Sequence, residues 1–356
     1  MAPAPGRVRL AAPALQALAR DIFLAVGVGA DDAALWAETL VWANLRGVDS
    51  HGVLRIPRYL ELIAQGGIHP RPAMRLLKAA GAIALLDADH APGPVAMARA
   101  MEEAIAAARR VHVGWCVARD ITHAGAVGHF ALRAAAAGMA GLVMTASIPL
   151  MAWPGSRRAV VSTNPIAIAI PAGRHPPLLL DMATAKVALG KIMSARQTGA
   201  PIPPDWGIDA EGAPTTDATA VATLLPMAGP KGAGLSLMIE CLASLAAGNP
   251  VIAPALAGAP GTAKGGTAMN GVAIALDLAA FGDPAGFVQS VDALAEAVAA
   301  QPKAAGTDAL LLPGERGDAE LARRRRSGIP LPAGVWKQLT AAAARLGVSL
   351  PAPLEG

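Results

Sequence analysis

Cysteines and aromatic residues are scarce in this sequence. Only two of the 356 residues are cysteines, Cys116 and Cys241, and both lie in apolar stretches. Two cysteines cannot form a disulfide framework, so we expect buried free thiols, as in a cytoplasmic protein. Aromatic residues make up 3% of the chain, which leaves few side chains for stacking on bases. We therefore expect no nucleic-acid partner, and we interpret the basic run at residues 323–326 as a solvated helix face.

The common single motifs are also absent. The sequence contains no G-x-G-x-x-G and no G-x-x-x-x-G-K-[ST], and it lacks G-x-S-x-G, H-E-x-x-H and C-x-x-C. These absences exclude a Rossmann fingerprint, a P-loop and the commonest hydrolase and metal motifs. A function has to be inferred from several weaker stretches together.

One uncharged stretch is long enough to span a bilayer. Residues 134–153 carry no charge, and about 20 residues suffice for a membrane helix. The stretch is rich in Ala and Gly and contains Pro149, so it predicts a helix end, a glycine break and a short buried strand. The N-terminal MAPAPGRVRL lacks the apolar core of a signal peptide. We expect no membrane partner and a cytoplasmic location.

The spacing of apolar residues divides the chain into three parts. Residues 8–65 show helical spacing that is interrupted at glycines. Strand-length apolar runs such as AIALLDAD and GLVMTAS then alternate with alanine-rich helices, which is typical of a covered α/β sheet. The tail returns to helical spacing, and a glycine-rich loop at residues 256–271 is a candidate functional loop. We predict an α/β domain at residues 76–284 and a helical domain built from both chain ends, residues 1–75 and 285–356.

The stretch DSHGVLRIPRY, residues 49–59, concentrates reactive side chains in an otherwise apolar chain. His51 has a pKa range that suits proton transfer near neutral pH, and Ser50 could hydrogen-bond to it. Arg55 would lie one helical turn from His51 if a helix has begun there, and it could bind a carboxylate through two hydrogen bonds. The alternative is structural, with Ser50 as a helix cap and the arginines as surface charges.

Three further stretches each add a candidate. DITHAGAVGHF places His123 and His129 at a strand–turn–helix junction, where ligands are often bound. Asp181 ends the apolar run LLLDMA, where a carboxylate needs a partner such as a histidine or a cofactor hydroxyl, unless it caps the next helix. Lys231 lies in a glycine-rich turn that opens a helix, which suits an anion such as a diphosphate. Each of these residues also has an ordinary structural explanation.

In order and spacing, these stretches resemble one known family. They are DSHGVLRIPRYLELIAQGGI, THAGAVGHFALRAAAAGMAGLVMTAS, STNPIAIAIPAG, LLLDMATAKVALGKI, PPDWGIDAEGAPTTD, GPKGAGLSLMIECLASLAAG and LLLPGERG. Along nearly its whole length the chain is similar to the malate/L-lactate dehydrogenase family of the second type. Its members interconvert 2-hydroxy and 2-keto acids with NAD or NADP, or reduce cyclic imino acids. The resemblance implies a non-Rossmann dinucleotide-binding α/β domain, a small carboxylate substrate, no metal and a homodimer.

The resemblance also implies roles for individual residues. In one relay, Asp181 would orient His51 through Ser50. The catalytic candidates are His51, His123, Ser50 and Asp181. The substrate-binding candidates are Arg55, Tyr59 and Thr163. The cofactor-binding candidates are Ser147, Asp181, Met182, Ala183, Lys231, Gly232, Gly314, Glu315 and Arg316.

Some residues depart from the family pattern. The pair before the second histidine is Ile121-Thr122, His129 stands where a tyrosine is common, and Ala233 replaces the frequent tyrosine of KGYG. The last two departures leave the substrate open. The choice between NAD and NADP is also open, although arginines at residues 157–158 would favour NADP if they meet a 2′-phosphate.

The implied reaction removes a hydride and a proton from a 2-hydroxy acid. The cofactor takes the hydride, a histidine takes the proton, and Arg55 fixes the carboxylate. Whether His51 or His123 is the main proton carrier stays open. Two alternatives remain: an NADPH-dependent reductase of a cyclic imino acid, and a non-catalytic binding protein or metal-dependent enzyme with His51, His123 and Asp181 as ligands.

Overall fold

The structure is a computed structural model that describes residues 7–258 and 269–354, so most of the loop predicted at residues 256–271 lies outside the described residues. The helices, in chain order, are α1 (Ala12–Ala25), α2 (Ala30–Leu45), α3 (Ile56–Ala64), α4 (Gly93–Val111), α5 (Gly128–Ala136), α6 (Leu189–Thr198), α7 (Pro230–Glu240), α8 (Ile252–Leu256), α9 (Pro284–Ala299), α10 (Glu315–Ser327) and α11 (Ala333–Leu346). The strands are β1 (Arg7–Leu10), β2 (Arg75–Ala80), β3 (Ile83–Asp87), β4 (Val113–Ile121), β5 (Met139–Ala146), β6 (Met151–Ala152), β7 (Ala159–Val161), β8 (Ile166–Ile170), β9 (Leu178–Met182), β10 (Gly207–Ile208), β11 (Thr223–Leu224), β12 (Met269–Asp277) and β13 (Ile329–Pro332).

The main sheet has seven strands in the order β2-β3-β4-β12-β5-β8-β9. β3 pairs parallel with β4, and every other neighbouring pair in this sheet is antiparallel. It follows that β3, β4, β5 and β9 run in one direction and end at the same edge of the sheet. A mixed sheet of this order is not the parallel sheet of a Rossmann fold, which agrees with the predicted non-Rossmann α/β domain.

Alanine-rich helices cover one face of this sheet. Alanine favours helix and has a small side chain, so α4 and α5 can lie close to the strands. Two strand glycines permit this approach, because a Cβ on Gly114 would collide with the backbone of Ala104, and one on Gly141 with that of Ala131. The opposite face is covered by α7 and the π-helical turn Cys241–Leu245.

A second hydrophobic core joins the two ends of the chain. α1, α2 and α3 pack with α11 and with the antiparallel strand pair β1–β13. At its centre the Trp36 ring stacks on Phe23 with 3.9 Å between ring centroids and contacts Tyr59 at 5.0 Å. This core confirms the predicted helical part built from both chain ends, and it anchors α3, which carries the last four residues of DSHGVLRIPRY.

α9 packs on the α/β body and not on the helical core. Its buried Asp292 accepts hydrogen bonds from the backbone N–H groups of Gly173, Arg174 and His175, in the turn between β8 and β9. No described residue from 284 to 314 belongs to the helical core. The division of the chain at residues 75 and 285 stays a prediction.

A small four-stranded sheet, in the order β10-β11-β6-β7, was not predicted from the sequence. Its strands are two or three residues long, which is too short for an alternating pattern of apolar residues to show. Met151, Val161 and Leu224 of this sheet share a core with Ile192 of α6.

The uncharged stretch at residues 134–153 forms the end of α5, a turn at Gly138 and β5, as predicted. Gly138 has a φ of 78°, a conformation that glycine adopts readily. Among residues 7–258 and 269–354, no helix is both long enough and apolar enough to cross a membrane.

The basic run at residues 323–326 is only partly solvated. Arg324 is buried, whereas the other three arginines are exposed. The Arg324 guanidinium donates to both carboxylate oxygens of Asp49, at 2.6 and 3.0 Å, and to the backbone oxygen of Asn44 at 2.6 Å. The expectation of a solvated face is therefore wrong for Arg324, because this side chain ties α10 to the first residue of DSHGVLRIPRY.

Removal of Arg324 should destabilise the protein. Because Asp49 is partly exposed, Arg324→Ala should lower the free energy of unfolding by about 2 kcal/mol, below the ~3–5 kcal/mol of a fully buried pair. Urea unfolding followed by circular dichroism measures the loss. Arg325→Ala, on the exposed side of the same helix, is the matched control and should cost less than about 0.5 kcal/mol. Equal losses in the two variants would contradict this role of Arg324.

Candidate active site

Most candidate residues lie at the edge of the sheet where β4, β5 and β9 end. His123 follows β4, Ser147 follows β5, and Asp181 is the last residue but one of β9. In open α/β sheets, ligands bind at the carboxyl ends of the strands. The helical core brings Ser50 and His51 to this edge, where the Cβ of Ser50 would lie 2.6 Å from a Cβ built on Gly190 of α6. The site therefore forms between the helical part and the α/β body.

The segment before α3 is not a continuous helix. Two short 3₁₀ turns, Asp49–His51 and Val53–Arg55, are separated by the extended Gly52. Asn44 holds this break, because its side chain accepts a hydrogen bond from the Val53 backbone N–H at 2.9 Å, and a Cβ on Gly52 would collide with its amide. The expectation that Arg55 lies one helical turn from His51 is therefore wrong.

Ser50 does not cap a helix. Its hydroxyl oxygen lies 2.9 Å from Nδ1 of His51. The backbone oxygen of Ser50 accepts a hydrogen bond from Nε of Arg55 at 2.7 Å, which folds the arginine back toward the histidine. The hydroxyl is thus available to orient the His51 ring, as the sequence interpretation required.

The two candidate histidines face each other. The rings of His51 and His123 are nearly parallel, with 5.4 Å between centroids and an angle of 18°. Nδ1 of His123 lies 2.7 Å from the hydroxyl of Tyr59. Within residues 7–258 and 269–354, Nε2 of neither ring has a hydrogen-bond partner. Both rings therefore keep one nitrogen for a ligand.

The surroundings keep both rings neutral at pH 7. Protein surrounds each ring although each keeps some accessible surface, and this burial lowers the pKa of His51 to about 4, with the nearby Arg55 charge as the second cause. Burial lowers the pKa of His123 well below its usual value, and the charges of Arg55 and His51 lower it further. A neutral imidazole can accept a proton at one nitrogen, as a general base must.

Asp181 does not reach the histidines. Its carboxylate accepts a hydrogen bond from the Gly128 backbone N–H at 3.0 Å, at the start of α5. No hydrogen bond joins Asp181 to His51 or His123 in the described part of the chain, so the predicted relay through Asp181 is not seen. Asp181 has an accessible surface but is surrounded by protein, as on the wall of a cleft. Burial raises its pKa to about 6, against the opposing effects of the Gly128 hydrogen bond and the Arg46 charge.

The remaining candidates before residue 233 cluster near the end of β9. The Ser147 hydroxyl lies 2.6 Å from that of Ser162, beside Thr163. The backbone oxygen of Thr163 accepts from the N–H of Thr184, which follows Met182 and Ala183. The turn before α7 lies at the same place, because Met227 N–H donates to Thr184 O and Gly232 N–H donates to Met227 O. Lys231 is exposed there, and its ammonium has no protein partner in residues 7–258 and 269–354.

The segment Gly314–Arg316 lies along the outer side of β9. The preceding Pro313 accepts a backbone hydrogen bond from Leu179. Arg46 of the helical part donates to the Gly314 oxygen at 2.9 Å and pairs with Asp318. Glu315 accepts from the Leu312 N–H at 2.8 Å, and Arg316 is exposed. This group therefore contacts β9 at Leu179, whereas the Lys231 turn contacts Thr184, which follows the end of β9.

Sequence reasoning missed residues that position the site without touching a ligand. Arg46 anchors the 314–318 segment, Asn44 shapes the turn before α3, and Arg324 holds Asp49. Gly128 admits Asp181, since a Cβ there would lie 2.6 Å from its carboxylate. The feature of the sequence that could have indicated Asn44 is the position of this asparagine at the end of an apolar helix. The arginines look like surface charges because their partners are up to 280 residues away.

The described residues do not provide the set of ligands that the metal-dependent alternative requires. Among residues 7–258 and 269–354, no group of three or more His, Cys, Asp or Glu side chains could hold a metal ion. The Nδ1 atoms of His51 and His123 are already hydrogen-bonded, and Asp181 points to Gly128. The two histidines and the aspartate are therefore not arranged as three ligands of one ion.

Comparison with known proteins places the chain in a family. The family model for malate/L-lactate dehydrogenase matches residues 10–340. The malate dehydrogenase of Pyrococcus horikoshii is 35% identical over 333 residues, which cover 91% of each chain. The ureidoglycolate dehydrogenase (NAD(+)) of Escherichia coli O157:H7 is 39% identical over 243 residues, 68% of this chain and 70% of the relative.

Solved structures give the same result. The structure of the P. horikoshii malate dehydrogenase superposes with a TM-score of 0.89 at 32% identity and covers 98% of both chains. The Δ1-piperideine-2-carboxylate reductase of Pseudomonas syringae pv. tomato superposes with a TM-score of 0.80 at 28% identity, over 94% of this chain and 99% of that one. The chain belongs to the malate/L-lactate dehydrogenase family, which confirms the resemblance. It is an oxidoreductase that acts on the CH–OH group of donors.

Asp181 should make stability depend on pH in a predictable direction. Its pKa is about 6 in the folded protein against an ordinary 3.8, so ionisation costs stability as pH rises between these values. Asp181→Asn removes this cost and should be more stable than the wild type at pH 8, with no difference below pH 3.8. Two pKa units correspond to ~3 kcal/mol, and solvent at the exposed carboxylate reduces the expected gain to about 1 kcal/mol.

Urea unfolding of both proteins across this pH range measures the difference. Asp308→Asn, at an exposed aspartate, is the control and should match the wild type throughout. A variant less stable than the wild type at pH 8 would show that the ionised carboxylate is net stabilised in the fold.

Proposed function

We propose that the protein is an NAD(P)-dependent dehydrogenase that interconverts a small 2-hydroxy acid and its 2-keto acid. The observation that carries this proposal is the environment of Arg55. Its guanidinium lies close enough to lower the pKa of both candidate histidines, and it has no carboxylate partner among residues 7–258 and 269–354. A half-buried cation of this kind is satisfied by an anion from outside, and a carboxylate matches the guanidinium fork.

The two rings beside Arg55 supply the proton chemistry. In the oxidation direction a neutral imidazole accepts the hydroxyl proton of the substrate, and in reduction the protonated ring returns it. A carboxylate bound at Arg55 partly cancels the charge that lowers the pKa of His51 and His123. Substrate binding itself should then raise the pKa of the rings toward the range in which a proton can be exchanged at neutral pH.

The charges of the residues around β9 support the binding of a dinucleotide. The Lys231 ammonium, which has no protein partner in residues 7–258 and 269–354, suits a diphosphate, and Asp181 to Ala183 directly precede Thr184, which contacts the Lys231 turn. When bound, the nicotinamide supplies the hydride acceptor or donor. Arg157 lines a cavity of about 590 Å³ beyond the end of β9, and it is a candidate for a 2′-phosphate. The proposal includes NAD or NADP, a homodimer and a cytoplasmic location.

A second candidate function is the reduction of a cyclic imino acid with NADPH. It is supported by the TM-score of 0.80 with the Δ1-piperideine-2-carboxylate reductase structure. Such a substrate also carries a carboxylate for Arg55, and the proton goes to the ring nitrogen instead of an oxygen. The geometry around Arg55 and the two histidines suits both substrates.

A substrate panel separates the two candidates. In the oxidation direction, the purified protein is assayed with malate, lactate, sulfolactate and ureidoglycolate in the presence of NAD⁺ or NADP⁺. In the reduction direction, it is assayed with the matching keto acids and with Δ1-piperideine-2-carboxylate in the presence of NADH or NADPH. Turnover of a hydroxy/keto pair supports the first function, and turnover of the imine alone supports the second. Failure to bind any nicotinamide cofactor in calorimetry would contradict both.

Arg55 should contribute mainly to binding of the carboxylate. Arg55→Met should lower kcat/KM for the best substrate of the panel about 100-fold, because a charge-assisted pair of ~2.7 kcal/mol is lost. Steady-state kinetics measure the change. Arg58→Met, at an exposed arginine three residues along that pairs with Glu61, is the matched control and should stay within about 2-fold of the wild type. A similar loss in both variants would contradict a direct role of Arg55.

A further inference from the structure

Tyr59 is held rigidly between the helical core and His123. It lies on α3, is 2% exposed, and its ring contacts Trp36 with 5.0 Å between centroids. At the other end its hydroxyl lies 2.7 Å from Nδ1 of His123. The substrate-binding role that the resemblance implies for Tyr59 stays a prediction, and the structure adds a contact of its hydroxyl with the histidine.

The direction of this hydrogen bond can be deduced. In the described part of the chain, the Tyr59 hydroxyl has one hydrogen-bond partner, Nδ1 of His123. If Nδ1 carried the proton and donated it to the tyrosine oxygen, the buried O–H would have no acceptor, which costs about 1–3 kcal/mol. Burial also raises the pKa of Tyr59, so the hydroxyl keeps its proton. Of the two arrangements, the one in which Tyr59 donates to Nδ1 is the one that satisfies the buried hydroxyl.

We propose that Tyr59 is a positioning residue that fixes neutral His123 in the tautomer with its proton on Nε2. In this state His123 presents an N–H group, and not a lone pair, on the side where none of the described residues is a hydrogen-bond partner. It can donate a hydrogen bond to the reacting oxygen of a bound keto or hydroxy acid. This role in the reaction rests on the proposed function, whereas the tautomer itself does not.

His51 is bound differently, and the difference assigns separate roles to the two rings. The Ser50 hydroxyl at its Nδ1 can either donate or accept, since a serine O–H rotates freely. When it accepts from Nδ1–H, Nε2 of His51 has a free lone pair and can take the substrate proton. Tyr59 thus makes His123 the hydrogen-bond donor. Because the Ser50 hydroxyl can rotate, His51 can act as the proton acceptor. The sequence alone could not separate these roles.

The tautomer of His123 can be measured without a substrate. In protein labelled with nitrogen-15 at histidine, long-range proton–nitrogen correlation spectra show which ring nitrogen carries the proton. The signals of His123 are assigned by their loss in His123→Gln. We expect the proton on Nε2 at neutral pH. A proton on Nδ1 in the wild-type protein would overturn the proposal, whether or not the protein turns over a hydroxy acid.

Two hydroxyl deletions test the cause. Tyr59→Phe removes only the hydroxyl and should shift His123 to a mixture of tautomers while the His51 signals stay unchanged. Ser50→Ala is the matched deletion at the other ring and should change His51 but not His123. An unaltered His123 spectrum in Tyr59→Phe would contradict the role of Tyr59. If Tyr59→Phe does not fold, the wild-type spectrum still decides the tautomer.

Kinetics then test the role in the reaction. With the substrate found in the panel, Tyr59→Phe should lower kcat about 10-fold and change KM by less than about 2-fold, because a donor to the transition state is lost while carboxylate binding is kept. A larger change in KM than in kcat would show that Tyr59 binds substrate, and would contradict a positioning role.

Discussion

A guanidinium beside two half-buried histidines, with no carboxylate partner in residues 7–258 and 269–354, is the interaction on which this site depends. Arg55 and burial together keep His51 and His123 neutral, and the half-buried Arg55 is the group that an anionic substrate would satisfy. Without Arg55 the rings would titrate closer to neutral pH, and the proposed carboxylate substrate would lose its cationic partner. In the proposed function, anion binding and proton exchange are coupled through the charge of Arg55.

The fold maintains this arrangement by joining two cores. The mixed sheet brings the ends of β4, β5 and β9 to one edge, and the helical core supplies Arg55 and the first histidine from across the cleft. Contacts between distant residues support the arrangement: Arg46 of the helical part donates to the Gly314 oxygen in the segment beside β9, and Arg324 of α10 holds Asp49. Tyr59 extends from the helical core to the histidine of the α/β body. The site is therefore a property of the interface, and the residues that shape it are widely spaced in sequence.

The sequence predicted the elements with strong periodicity and the motifs with unusual composition. The helical spacing of residues 8–65 and the strand-length runs gave the fold class, and the contrast between DSHGVLRIPRY and its apolar surroundings singled out Ser50 and His51. Contacts that depend on backbone geometry were not predictable. Asp181 turns to the Gly128 N–H, 53 residues away, instead of to His51, and Gly52 interrupts the helix on which the spacing argument for Arg55 relied. The small sheet was not predicted because its strands are too short to show an alternating pattern of apolar residues.

The most direct test of this account is the number of protons taken up when a carboxylate binds. Oxamate, a stable analogue of a 2-keto acid, is titrated calorimetrically into the protein saturated with its nicotinamide cofactor, in two buffers of different ionisation enthalpy at about pH 6. The account predicts a fractional proton uptake, because an anion at Arg55 raises the pKa of His51 from about 4. The uptake should disappear in His51→Gln. Binding of oxamate with the same heat in both buffers would contradict the coupling of Arg55 to the histidines.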